Sequence, residues 1–226
     1  MRYIFSEVIG RNGILISLLP KGTTALFWLC VVLCAVVAYL LGSFNTAVAV
    51  SKGLYKKDVR EFGSGNAGMT NMFRVLGKKA GILTALGDVL KALIAVALGF
   101  FVWGTDGQYL AGFFCIIGHI FPVYFHFKGG KGVIVAAITV LLIDPLVFGV
   151  LVLIWGLMFF ATKIISAASV TAAFFYPLVV SFFTEPGFGV LFSFLIAFTV
   201  LFMHRENIKR MIRKEEKPFK MHKDEK

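Results

Sequence analysis

Three short polar segments interrupt an otherwise apolar chain, and each carries side chains suited to holding phosphate. The first, FGSGNAGMTNMFRVLGKKAG at residues 62–81, places Ser64, Gly65, Asn66, Gly68, Thr70, Asn71 and Arg74 within eleven positions. Glycines supply positive φ and let backbone N–H groups converge, hydroxyls add donors, and the guanidinium of Arg74 is a planar fork that matches phosphate. No GxxxxGK[ST] run occurs, which excludes a P-loop nucleotidase. An ordinary basic loop explains the same composition.

The second segment, FHFKGGKGV at residues 125–133, surrounds Lys131 with Gly129, Gly130 and Gly132 immediately before an apolar run. Free N–H groups, a helix dipole and an ammonium could meet one phosphate there. A glycine hinge carrying two snorkelling lysines is the alternative. The third, HRENIKR at residues 204–210, sets His204 and Asn207 on one helical face, with Ile208 and Met211 continuing an apolar stripe and Arg205, Lys209 and Arg210 as a juxtamembrane anchor. Asp88 and Lys91, also three apart, fall inside an apolar run. Ionisable groups at membrane depth cost about 2.5–3.5 kcal/mol each, so the two are expected to face protein and pair, and could orient the first segment. His119 reads as a satisfied interfacial side chain, and Ser166 and Ser169 as helix-packing residues. Neither His119 nor His126 has a second His or an acid at metal-ligand spacing.

The elements that must position these residues are membrane helices. Of 226 residues 58% are apolar and only 15% charged, far from a soluble composition. A span needs about 20 apolar residues, and suitable runs lie near 25–50, 82–103, 109–125, 132–143, 145–161, 164–183 and 188–203, the fourth being short. The expectation is an all-α, polytopic membrane helix bundle of about seven transmembrane helices. Residues 51–81 hold seven basic against two acidic side chains, and residues 204–226 nine against five. Connectors with Lys128, Lys131 and Lys163 alternate with those bearing Asp106, Asp144 and Glu185. By the positive-inside rule this puts the N-terminus outside, the C-terminus in the cytoplasm and all three polar segments on the cytoplasmic face. The basic N-terminal segment dissents, with three basic side chains against Glu7.

The chain divides into an N-terminal interfacial segment at 1–24, a membrane domain at 25–210 and a basic cytoplasmic tail at 211–226, whose end after Pro218 reads as solvated. Ile4, Phe5, Val8 and Ile9 recur at helical spacing, suggesting a surface helix, and Glu7 and Arg11 argue against a cleaved signal. Cys30, Cys34 and Cys115 read as small apolar fillers. The net charge of +11 follows topology, which disfavours nucleic acid as a partner.

YLLGSFNTA, DVREFGSGNAGMTN, GDVLK, GHIFPVYFHFKGGKGV and HRENIKR occur in an order and spacing that resemble the bacterial acyl-phosphate-dependent glycerol-3-phosphate acyltransferase family, over residues 39–210. The resemblance implies a membrane acyltransferase domain at 25–210. Its reaction moves a fatty acyl group from acyl phosphate to the 1-hydroxyl of sn-glycerol 3-phosphate, giving lysophosphatidate and phosphate. It implies a cytoplasmic-side site in the bacterial inner membrane, with the lipid bilayer as partner; the sequence leaves the oligomeric state open, a monomer being one option. No metal, cofactor or acyl-CoA is implied.

Carried over, Ser64, Arg74, Lys131, His204 and Asn207 are expected to be catalytic, and Gly65, Asn66, Gly68, Thr70, Asn71, Gly129, Gly130 and Gly132 to bind substrate. Lys131 and Arg74 would hold phosphates, while a substrate phosphate or His204 accepts the hydroxyl proton. The chain departs from the family pattern at Met69, Ile134, Val135, Asn45 and Ala92. A transporter for a phosphorylated anion would need more deep polar residues, and a CDP-alcohol phosphotransferase would need a DxxDG cluster that is absent. No HxxxxD dyad occurs either.

Overall fold

The computed structural model describes residues 13–18, 23–184 and 187–219, and among these every regular element is helical. Glu185 and the surface helix expected from Ile4, Phe5, Val8 and Ile9 lie outside the described residues. Ten α-helices follow in order: α1 Ile14–Leu18, α2 Thr24–Ser43, α3 Thr46–Tyr55, α4 Met69–Val75, α5 Gly77–Ile120, α6 Val133–Ile143, α7 Pro145–Thr162, α8 Ile165–Phe183, α9 Phe188–Met203 and α10 Arg205–Ile212.

The apolar run read as one span at 25–50 is two helices. The chain leaves α2 at Phe44 in an extended conformation, and the Asn45 side chain then accepts from Val48 N and caps α3. A capping amide competes with helix continuation because it satisfies the orphan N–H groups of a new first turn.

α5 is one helix in name only. Trp103 and Gly104 leave helical geometry, and Gly104 takes φ 57, which glycine adopts without a Cβ clash. There the chain reverses: Gly99 and Gly107 meet backbone to backbone, and Cys115 Sγ lies 3.9 Å from Lys91 O, 24 residues away. The expected runs at 82–103 and 109–125 are thus two arms of a hairpin, the second closing at Ile120. Asp144 accepts from Leu146 N and Val147 N to start α7, with Pro145 in its first turn.

Among the described residues, four helical stretches are long and apolar enough to cross a membrane: Thr24–Tyr55, Gly77–Phe125, Pro145–Thr162 and Ile165–Phe183. Phe188–Met203 with Arg205–Ile212 makes a fifth if that pair, bent by 59°, is one span. α6 is shorter, as its run of apolar residues led us to expect.

The inside and outside of the bundle are inverted relative to a soluble protein. Leu153, Phe160 and Phe198 point outward, and Phe182 is 83% exposed. The interior is lined instead by small residues: Ala38, Ala92, Ala95, Ala111 and Cys115. A Cβ on Gly42 would strike Cys115 O, and one on Gly118 would strike Tyr39 O. Lipid tails are as apolar as leucine, so helices associate through such close backbone approach. Trp28, Trp103 and Phe188 cluster edge to face at the α5 hairpin, the end of the bundle away from the polar segments.

Residues 213–219 have a defined path, whereas the solvated end expected after Pro218 lies, beyond Phe219, outside the described residues. α10 runs to Ile212, Lys214 turns with φ 59, and residues 215–219 fold back over the bundle until Phe219 N donates to Lys163 O at 2.9 Å.

Candidate active site

The first polar segment is held by side chains within itself. Asn71, almost fully buried, accepts from Ser64 N at 2.9 Å and donates to Val59 O and Phe62 O. One amide thereby closes the loop that carries Ser64, Asn66, Gly68 and Thr70. Asn71 itself acts more as a clasp than as a ligand group. Asn45 extends the clasp from α3, donating to Ala67 O at 3.3 Å.

Asp58 and Arg60 tie this loop to the second segment. Asp58 binds Arg60 Nε at 2.9 Å and Lys52 Nζ at 3.0 Å, while Arg60 Nη1 donates to Phe125 O and Lys128 O. The Arg60 hydrogen bond holds the Asp58 carboxyl well below the usual carboxylate range.

In the second segment the glycines do a different task from the one expected. Gly129 N donates to Ile120 O and Gly130 N to His119 O, both at 3.1 Å. Their N–H groups are therefore spent on the end of α5 rather than turned to a ligand. A Cβ on Gly130 would collide with His119 Nε2 and Ala67 O, and one on Gly129 with His119 O. These glycines permit contact, and with Gly65 they stay outside the cavity wall. Gly132, at φ 75, turns the chain into α6 and does face the cavity.

Beneath the loops lies a buried charged cluster. Asp88 accepts from Lys91 Nζ at 2.8 Å and from Thr46 Oγ1 at 3.2 Å. Lys91 also donates to Gly42 O and Phe44 O, where α2 ends, and approaches His119 Nδ1 at 2.8 Å. The Asp88–Lys91 pairing agrees with expectation, but the part played by His119 was hidden because it joins from the other arm of α5.

A cavity of about 1040 Å³ joins the three segments. Ser64, Asn66, Gly68, Thr70, Asn71, Arg74, Lys131, Gly132, His204 and Asn207 all border it. Its other wall is apolar and aromatic, including Val140, Leu151, Trp155, Tyr176 and Ile196. Lys131 Nζ is hydrogen-bonded to Asn207 Oδ1. Burial pulls the Lys131 ammonium down to about 8, against the opposing pull of Glu216. His204 Nδ1 lies 2.8 Å from Val200 O, and since a carbonyl can only accept, Nδ1 carries the proton. In the neutral ring Nε2 is then the proton acceptor.

Sequence reasoning missed four contributors to this site. Glu216 accepts from Ser166 Oγ, Asn207 Nδ2 and Arg210 Nε, each at 2.6 Å, and it lines the cavity with Arg210 and Ser166. Asn45 is the fourth. Arg210 was visible only as one more basic residue, and no spacing rule links Ser166 to Glu216. Glu206, by contrast, only pairs with Lys209 at an exposed position. Met69, unexplained by sequence, borders the cavity at the first turn of α4, whereas Val135 is buried in the core away from it. The departure at Val135 therefore leaves the cavity wall unchanged.

A multi-pass helical membrane protein with a cationic cavity end opening on an apolar wall is built to hold an amphiphile bearing phosphate. The chain belongs to the glycerol-3-phosphate acyltransferase family, whose model matches residues 32–214. It is 38% identical over 186 residues to the glycerol-3-phosphate acyltransferase of Bacillus subtilis (strain 168), covering 82% of this chain and 96% of that protein. The glycerol-3-phosphate acyltransferase of Streptococcus thermophilus (strain CNRZ 1066) is 40% identical over 190 residues, covering 80% and 89%. Among solved structures, the glycerol 3-phosphate form of PlsY (YgiH), an integral membrane glycerol 3-phosphate acyltransferase, superposes with TM-score 0.78 at 35% identity, over 84% of this chain and 96% of that one. Its lysophosphatidic acid form gives 0.76 at 33% identity, over 84% and 95%.

Proposed function

We propose that this protein transfers a fatty acyl group from acyl phosphate to the 1-hydroxyl of sn-glycerol 3-phosphate. The observation that carries the reading is the convergence of Arg74, Lys131, His204 and Asn207 on one cavity that also has an extended apolar wall. Both substrates bring a phosphate, and one brings an acyl chain for the apolar wall.

In this reading the glycerol hydroxyl oxygen attacks the acyl carbon, an ester C–O bond forms, and the bond from acyl carbon to phosphate oxygen breaks. The hydroxyl proton passes to His204 Nε2 and the leaving group departs as phosphate. An acyl phosphate is already an activated anhydride, so positioning and charge neutralisation carry most of the acceleration. Lys131 and Arg74 hold phosphate oxygens, Ser64, Asn66 and Thr70 supply further donors, and Asn207 fixes Lys131. Asn71, Gly65, Gly68, Gly129, Gly130 and Gly132 shape the loops that hold these donors. No metal or cofactor enters the scheme.

The protein is read as a bundle of seven membrane helices: α2, the two arms of α5, and α6 to α9. The N-terminus lies outside and the C-terminus in the cytoplasm of the bacterial inner membrane. The alternation of lysine-bearing and acidic connectors supports that orientation. α6 has 11 residues, about 16 Å of rise, and in this reading crosses as a short span with Lys131 snorkelling at its start and Asp144 at its end.

The deciding experiment incubates the purified protein with a long-chain acyl phosphate, glycerol 3-phosphate and EDTA, and looks for lysophosphatidate. Product formation is expected. Absence of product, or a strict demand for acyl-CoA, overturns the assignment.

A further inference from the structure

The described residues after α10 run along the cavity. Lys214 turns the chain, Glu215 to Pro218 border the cavity, and Phe219 packs edge to face on Phe73, with the Arg74 guanidinium 6.0 Å from the centre of the Phe219 ring. The match to the family ends at residue 214, so this strap begins where the shared part of the chain stops.

The strap delivers one carboxylate to a set of donors. Glu216 Oε1 takes Ser166 Oγ and Asn207 Nδ2, and Oε2 takes Arg210 Nε, all at 2.6 Å, while the same carboxylate raises the proton affinity of Lys131. A hydroxyl, an amide N–H and a guanidinium around one anion are the kind of partners a phosphate would use. Asn207 also holds Lys131, which is proposed above to bind substrate phosphate.

We propose that Glu216 is an intramolecular anion that competes with the substrate phosphate for Asn207 and Arg210. The inference rests on the acyl-transfer reading for its biological meaning, but the competition concerns phosphate binding alone. A tethered carboxylate acts at an effective concentration on the order of millimolar, enough to contest a metabolite. A strap seated about nine-tenths of the time leaves about one-tenth of the molecules competent, and the apparent dissociation constant for phosphate rises about tenfold. A dianionic phosphate outbids one carboxylate only when its concentration is sufficient, so the strap makes the enzyme responsive to substrate supply.

The test uses the full chain purified in detergent, as wild type, Glu216→Gln and Phe219→Ala. Two readouts are taken: the KM for each phosphate substrate at saturating partner, and the inorganic phosphate concentration giving half of the maximal rise in Tm. Glu216→Gln is expected to lower the KM of one substrate and the phosphate midpoint by about tenfold, without a fall in kcat. Phe219→Ala, which loosens the strap but leaves the carboxylate, is expected to move both in the same direction by less. A lower phosphate midpoint in a protein that transfers no acyl group sustains the competition and sinks the acyl-transfer reading. Unchanged midpoint and KM in both variants overturn the competition whatever the activity. A fall in kcat at constant KM also overturns it, because Glu216 would then be a positioning residue for Asn207.

Discussion

Lys131 and Asn207 are 76 residues apart in the chain and joined by a hydrogen bond from ammonium to side-chain carbonyl. That bond connects the loop before α6 to the helix after α9, so the cavity's cation is aimed by an element from the other end of the domain. Removing Asn207 should therefore resemble removing a catalytic donor. Asn207→Ala is expected to lower kcat/KM by about 10²–10³, the usual cost of one preorganised donor. Steady-state kinetics with both substrates checks this, and a change under threefold would separate Asn207 from the reaction.

The Lys131 ammonium, brought down to about 8 by burial, sets an alkaline limit. Lys131 is charged below that value and neutral above it, so if it holds phosphate as proposed, binding is expected to be strong at pH 7 and to fade as pH climbs through about 8. The expected profile of log kcat/KM falls with slope −1 on the alkaline side. Lys131→Arg should move that limb upward, because a guanidinium stays charged. Glu216→Gln should move it to lower pH, since the carboxylate's stabilisation of the charged amine is lost.

With Nδ1 committed to Val200 O, His204 offers Nε2 as base. His204→Gln should lower kcat by about 10²–10⁴ and remove the acidic limb of the profile. Full turnover with the same pH dependence would leave a substrate phosphate as the proton acceptor.

Gly130 lies against His119 Nε2 and Ala67 O, whereas nothing comes within 4 Å of a Cβ added at Gly53 in α3. Gly130→Ala should destabilise by about 1–3 kcal/mol through overpacking and raise KM by displacing Lys131. Gly53→Ala should stabilise by about 0.8–1 kcal/mol through helix propensity alone. Thermal unfolding in detergent distinguishes the two, and equal shifts would refute the packing argument.

Asp88 is 1% exposed and shares Lys91 with His119 and the end of α2. Asp88→Asn leaves Lys91 charged without its carboxylate in the membrane interior, an expected loss of about 3–5 kcal/mol. Reduced yield and a lowered Tm would register it. Unchanged stability would mean that the carbonyls of Gly42 and Phe44 suffice.

Much of this molecule was legible in one dimension because a bilayer imposes one-dimensional rules. Apolar length, glycine runs and the placement of lysines are properties of short windows, so the helical bundle, the three polar segments and the Asp88–Lys91 pair could be read from residue types and spacing. Ser64, Arg74, Lys131, His204 and Asn207 stand out as polar groups in compact motifs, and their expected roles come from the family resemblance. What windows cannot hold is contact between distant segments. That Asn45 breaks a greasy run in two, that His119 reaches Asp88 across the α5 hairpin, and that Gly129 and Gly130 spend their N–H groups on carbonyls of residues 119 and 120 all depend on which backbones come close. The tail shows the difference most sharply. Its composition is that of a solvated basic segment, yet the turn at Lys214 and the donors gathered from α8 and α10 draw Glu216 into the cavity. A single carboxylate in a charged stretch has no signature in sequence, and only the fold decides that three donors are waiting for it.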